Sequence, residues 1–162
     1  MFFILMWAPP AGAHVRKIVI DKKVSPVFNG ASFGAAGQYE TLTGRAFGEL
    51  DPNDPHNTII TDIKSAPRNA SGKVEYVASF YIVKPIDMSK SSHLMWQDVP
   101  NRGGRITISP PQRNDGDVGL SSGWQGDNSG RTVPEGDNEY LTVPIARNAD
   151  GSPITGLVWD ES

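Results

Sequence analysis

The chain has 162 residues, a length that suits one packed core, and its 38% hydrophobic and 20% charged residues are the composition of an ordinary globular protein. Its net charge of −3 comes without any block of Lys and Arg, so the sequence offers no electrostatic footprint for nucleic acid or an anionic membrane surface. The absence of cysteine excludes disulfides, zinc thiolate sites and cysteine nucleophiles.

The chain opens with MFFILMWAPPAGAH, in which an apolar run from Phe2 to Ala8 precedes the small-residue triplet Ala11-Gly12-Ala13. This reads as the end of a secretory signal over residues 1–13 and predicts a secreted or periplasmic protein. No basic residue precedes the run, which is far shorter than the ~20 residues needed to span a bilayer. The competing readings are an internal start codon or a buried first strand, which would leave the protein cytoplasmic.

Short strands follow. VRKIVI (15–20) is the first, and DPNDPHN (51–57) is a turn in which two Pro fix φ beside Asp and Asn side chains able to cap their own backbone. NTIITDI (57–63) has strand character. The clearest element is KVEYVASFYIVK (73–84): Val74, Tyr76, Ala78, Phe80 and Ile82 alternate with Glu75, Val77, Ser79, Tyr81 and Val83, which predicts a long central strand with its second face partly covered. HLMWQDV (93–99), RITIS (105–109) and EYLTVPIA (139–146) read as further strands, and NADGS (148–152) as an Asp-Gly turn.

The stretch 110–138 is dense in Gly, Pro, Asn and Asp and predicts a long irregular loop. No window sustains a helical repeat, and 13 prolines break the chain. The expectation is a mainly β fold over 14–162: one domain, a largely antiparallel sandwich or open barrel with long irregular loops and little helix.

Chemistry is harder to locate. A serine hydrolase elbow needs G-x-S-x-G, and the pattern is absent; Ser71 and Ser122 are each followed by Gly but lack the preceding one. Of the three histidines, His93 opens a strand near acidic residues and is the best base, although a strand-end His is commonly only solvated. Asp51, Asn53, Asp54 and Asn57, and then Asn114, Asp115 and Asp117, supply hard oxygens of the kind Ca²⁺ prefers, but neither spacing matches an EF-hand loop, and such turns usually cap only themselves. A glycosidase pair cannot be nominated from 18 acidic residues. Trp96, Trp124, Tyr140 and Trp159 would suit a ligand-binding face, the plainer expectation being that they fill the core.

Several strings in order, FNGASFGAAGQYETLTGRAFGELDPNDPHNTIITDIKSAPRNASGKVEYVASFYIVKP, WQDVPNRGG, SGWQGD and VPIARNADGSPITG, resemble the N-terminal region of a family of large, exported α/β-hydrolase-domain proteins, esterase- or lactonase-like, over roughly residues 15–160. The resemblance implies a hydrolase core whose nucleophile and His lie beyond the matched part. It also implies that VPNRGG closes a core strand where this fold carries its oxyanion-hole loop, making Asn101, Arg102, Gly103 and Gly104 residues of the site. Only about 20 residues separate Gly104 from Trp124, little room for the helix and strand of the family pattern. The alternative fold is accordingly an incomplete α/β-hydrolase-type sheet.

Two functions follow as expectations. The first is weak hydrolysis of a small ester or lactone, without cofactor, using Arg102 and Arg105 as carbonyl stabilisers, Asp98 as base, His93 as proton acceptor, and Asn101, Gly103, Gly104, Arg105 and Trp124 against the substrate. The second is a non-catalytic β module that binds a ligand or another chain, homodimerisation through sheet edges being one form. A truncated hydrolase N-terminal region is the third, plainest reading.

Overall fold

The structure, a computed structural model, describes residues 14–126 and 138–156; the signal-like segment 1–13, the second half of the Gly-rich stretch and Trp159 lie outside the described residues. The protein is mainly β. Its strands are β1 (His14–Val24), β2 (Tyr39–Leu50), β3 (Val74–Pro85), β4 (Met95–Asp98), β5 (Val118–Ser122) and β6 (Leu141–Thr142), with one short α-helix, α1 (Pro110–Asp115), among the described residues. They form an open sheet in the order β1-β2-β3-β5-β4, with β6 paired to β3.

The predicted central strand is central, bordered by β2, β5 and β6. β3 pairs antiparallel with β5, Ile82 facing Leu120, and antiparallel with β6, Ala78 facing Leu141. β4 and β5 are parallel, Trp96 facing Gly119. Parallel neighbours need a crossover between them, and the 19 residues between Asp98 and Val118 contain one after all: α1 fits where the spacing argued against a helix plus a strand.

Local chemistry makes so short a helix. Ser109 forms a reciprocal capping box with Gln112, Pro110 and Pro111 occupy the first turn, and Gly116 closes the helix at φ 88°, a left-handed conformation suited to glycine. Asp117 then accepts from Ser92 Oγ and Trp96 Nε1, both at 2.6 Å, which ties the start of β5 to β4.

The chain divides into two compact units. The unit of Val15–Gly48 and Tyr76–Val143 has its core at Ala36, Tyr39, Val83 and Ile108. Tyr39 packs edge-on against Phe33, and the Arg113 guanidinium lies 4.3 Å and 4.6 Å from the centres of the Phe28 and Phe33 rings. The Tyr39 hydroxyl donates to the carbonyls of Arg113 and Asp117, 3.0 Å each, and burial, followed by the charge of Asp117, pushes its pKa up to about 12. Elsewhere in this unit Glu40 is buried between Lys23 (2.7 Å) and Lys84 (2.8 Å). Burial alone would raise its pKa, but hydrogen bonds from Lys23, Lys84 and Ser25 outweigh that and hold it at about 2.

The other unit contains Glu49–Glu75 and, among its described residues, His14 and 144–156. The side chains of its Asx-rich turn bond mainly within the turn and to its neighbours: Asp51 accepts from Asn53 N and pairs with Lys73, Asp54 Oδ1 accepts from His56 N at 2.9 Å, and Asn57 Nδ2 donates to Asp51 O, while Asp54 Oδ2 is buried without a hydrogen-bond partner among the described residues. Asn148–Ser152 makes the predicted Asp-Gly turn, Asn148 N donating to Ser152 O at 3.0 Å.

Five segments depart from the sequence reading. NTIITDI is not a strand but a run of turns and a 3-10 turn, because Asp54, Asn57 and Thr58 bind local backbone in place of a ladder, leaving Ile59 87% exposed. RITIS is not a strand either, since Ile106 N donates to the Ser121 hydroxyl at 2.7 Å. EYLTVPIA pairs only at Leu141–Thr142, shortly before Pro144. Within the expected irregular loop lie α1 and β5, while β2 carried no strand expectation. No helix among the described residues is long and apolar enough to cross a membrane.

Candidate functional site

The β4–α1–β5 crossover fixes a loop at the carboxyl end of β4. Asn101–Gly103 makes one 3-10-like turn, with Arg102 at φ 56° and Gly103 at φ 82°. Left-handed backbone is costly for Arg and free for Gly, so the turn persists only where its surroundings hold it. Several bonds do so. Trp124 Nε1 donates to Pro100 O at 2.7 Å, Arg102 N donates to Gln125 Oε1, and Glu139 N donates to Gly103 O at 2.7 Å.

Beneath the loop is a buried polar network. The Glu139 carboxylate is fully enclosed; it accepts from Arg105 Nε at 2.9 Å and from the Ser79 hydroxyl. Ser79 Oγ in turn accepts from Tyr140 N at 2.8 Å. Arg105 also lies over the Tyr81 ring, 4.8 Å from its centre. Ser79 and Ser121 are both fully buried and engaged, so neither hydroxyl is placed to attack a substrate.

Above the network, Asn101, Arg102 and Gly104 are exposed. The Arg102 N–H is occupied by Gln125, whereas the Gly104 N–H has no hydrogen-bond partner among the described residues. A Cβ added at Gly104 would meet nothing within 4 Å. The loop therefore presents the Gly104 backbone N–H on a braced support, a donor that can meet a carbonyl oxygen or a small anion, with Arg102 two positions before it.

Asp98, Asn101, Arg102, Gly103, Gly104, Arg105 and Trp124 thus collect at one end of β4 and β5. His93 does not join them. It precedes the opposite end of β4, exposed at φ 65°, its N–H donating to Ser91 Oγ at 3.2 Å. Five residues of extended chain put it about 16 Å from Asp98. Trp96 and Trp124 are not core residues, being 48% and 50% exposed with their indole N–H groups tied down, whereas Tyr140 is buried. Each indole N–H has a partner while about half of the residue stays in water.

Comparison with protein-family models, with curated proteins and with solved structures returned no match. Gln125, Glu139 and Ser79 are residues that sequence reasoning missed. Glu139 is one of 18 acidic residues, and nothing local in DNEYL marks it as the enclosed one.

Proposed function

We propose that this chain is a hydrolase-related module that carries the oxyanion side of a site for small esters or lactones, with Gly104 N–H and Arg102 as the groups that meet the carbonyl oxygen. The observation that carries the reading is the braced turn at the carboxyl end of β4, in which the exposed Gly104 has an N–H with no hydrogen-bond partner among the described residues and follows Arg102 by two positions. In an α/β-hydrolase one oxyanion donor comes from the loop between a sheet strand and the following helix, and Gly104 lies between β4 and α1. The resemblance of VPNRGG to that loop supports the same assignment, and the signal-like start supports export.

Within this site Asp98 is the nearest acid to the turn along the chain and is the group to accept a proton from an attacking water. No G-x-S-x-G serine accompanies it, so turnover by the chain alone is weak. Gly104 has φ −56°, which proline also adopts, so Gly104→Pro removes the donor while fitting the backbone. Purified protein is assayed with a chromogenic ester and an acyl lactone. Gly104→Ala should retain the rate and Gly104→Pro should lose about 10²-fold. Equal rates in the two variants, or no wild-type rate above buffer, would overturn the reading.

A second reading, binding of another chain, is favoured by one observation. β4 ends the sheet, and Leu94, Met95, Trp96 and Val99 are 48–60% exposed around it. An edge strand that leaves Met95 and Trp96 exposed on its two faces is the kind of strand that proteins cover. Sedimentation of the wild type and of Met95→Lys tests this: self-association lost in the variant supports a homodimer through this edge, and a wild-type monomer at all concentrations removes that form of it.

A further inference from the structure

A concave region lies on the sheet. A cleft of about 560 Å³ opens over β1, β2 and β3, a volume within the roughly 300–1,000 Å³ of small-molecule pockets. Its walls include Val24, Val27, Phe28, Tyr81 and Ile106, which provide an apolar and aromatic surface. Among them stand the hydroxyls of Thr41, Thr43 and Thr107, none of which makes a side-chain hydrogen bond among the described residues.

The two charged residues of the lining are both cations, and they differ in their partners. Arg105 is matched by the enclosed Glu139 carboxylate. Lys22 makes no ion pair among the described residues, its neighbour Lys23 being the one that pairs with Glu40. The cleft therefore has one unmatched positive charge beside uncommitted hydroxyls and a greasy wall. That pattern fits one negative charge on an apolar body. A phosphate dianion is poorly served here, because the lining brings a single unmatched cation and no helix N-terminus to share the second charge.

We infer that this cleft binds a small monocarboxylate with an apolar or aromatic body, its carboxylate held by Lys22 with the Thr41 and Thr43 hydroxyls and its body lying on Val24, Phe28 and Tyr81. Thr41 and Thr43 alternate on β2 and so face the same side about 7 Å apart, the span of one carboxylate and its neighbours. The inference does not rest on the hydrolase reading, since binding at the cleft requires no turnover.

The test is calorimetric titration of the purified full chain with 4-phenylbutyrate, using the neutral alcohol 4-phenylbutanol as the control. The carboxylate should bind saturably and about tenfold more tightly than the alcohol, and Lys22→Ala should remove that difference while leaving the alcohol unchanged. Because Lys22 is exposed on an edge strand, its replacement should leave the far-ultraviolet circular dichroism intact; Lys22→Gln serves if Ala alters it. Backbone amide shifts on titration should move at residues 22–24, 41–43 and 81. Absence of saturation, equal binding of acid and alcohol, full binding in the Lys22 variants, or shifts confined to other residues would each overturn the proposal.

Discussion

The indole N–H of Trp124 donates to the carbonyl of Pro100 at 2.7 Å, joining the residues after β5 to the turn after β4. The bond crosses between the two parallel strands and holds the left-handed Arg102 in place from outside its own segment. Trp124→Phe keeps a ring and removes the donor. It should cost about 1 kcal/mol in urea unfolding and raise amide exchange at residues 101–104. Unchanged exchange would show that Gln125 and Glu139 suffice to hold the turn.

The enclosed carboxylate of Glu139 should dominate the stability of this end of the sheet. Glu139→Gln leaves Arg105, whose side chain is 16% exposed, facing a neutral amide, and should destabilise by about 3 kcal/mol. Glu139→Gln combined with Arg105→Met should recover part of that loss, since no charge is then stranded. Additive losses in the double variant, read by chemical denaturation, would mean that the two residues act separately.

Glu40 predicts an acid limit. Its folded pKa of about 2 lies below its ordinary value of 4.5, so its contribution is complete above about pH 4.5 and is lost as the pH falls through 2. The contribution is on the order of 2 kcal/mol. In Lys84→Met one of the two ammonium groups is gone, so the folded pKa rises and the acid-induced loss should be smaller and end at higher pH. Urea midpoints measured between pH 2 and 7 check this, and parallel curves for the two proteins would contradict it.

Tyr39 predicts an alkaline limit of opposite sign. Its neutral hydroxyl is the form that is bonded, its ordinary pKa is 10.0 and its folded value about 12, so its contribution is complete below pH 10 and is lost as the pH rises toward 12. Tyr39→Phe leaves two carbonyls at the end of α1 without this donor and should cost about 1–2 kcal/mol. In spectrophotometric titration it should remove the last of the tyrosine steps. Survival of that step in the variant would assign it to another tyrosine.

The elements differ in how far local sequence determines them. β3 was legible because its alternation runs unbroken across 74–83, and a strand covered on both faces needs apolar residues on both. The turn at 148–152 was legible because Asp-Gly chemistry is local. NTIITDI misled because β-branched residues describe a preference, and no neighbouring strand was there to satisfy it. α1 and β5 were obscured because a capped six-residue helix is too short to display a period.

The sequence by itself determined the mainly β character, the central strand, the surface turns and the position of the NRGG turn behind an apolar strand. Those follow from period-two alternation and from residues that constrain their own backbone. Only the tertiary structure decided that β4 and β5 run parallel, that Trp124, Gln125 and Glu139 brace the turn, and that His93 sits away from it. The reason is physical: each of those relations joins residues distant in sequence, and burial and hydrogen-bond satisfaction are settled only when the strands are packed.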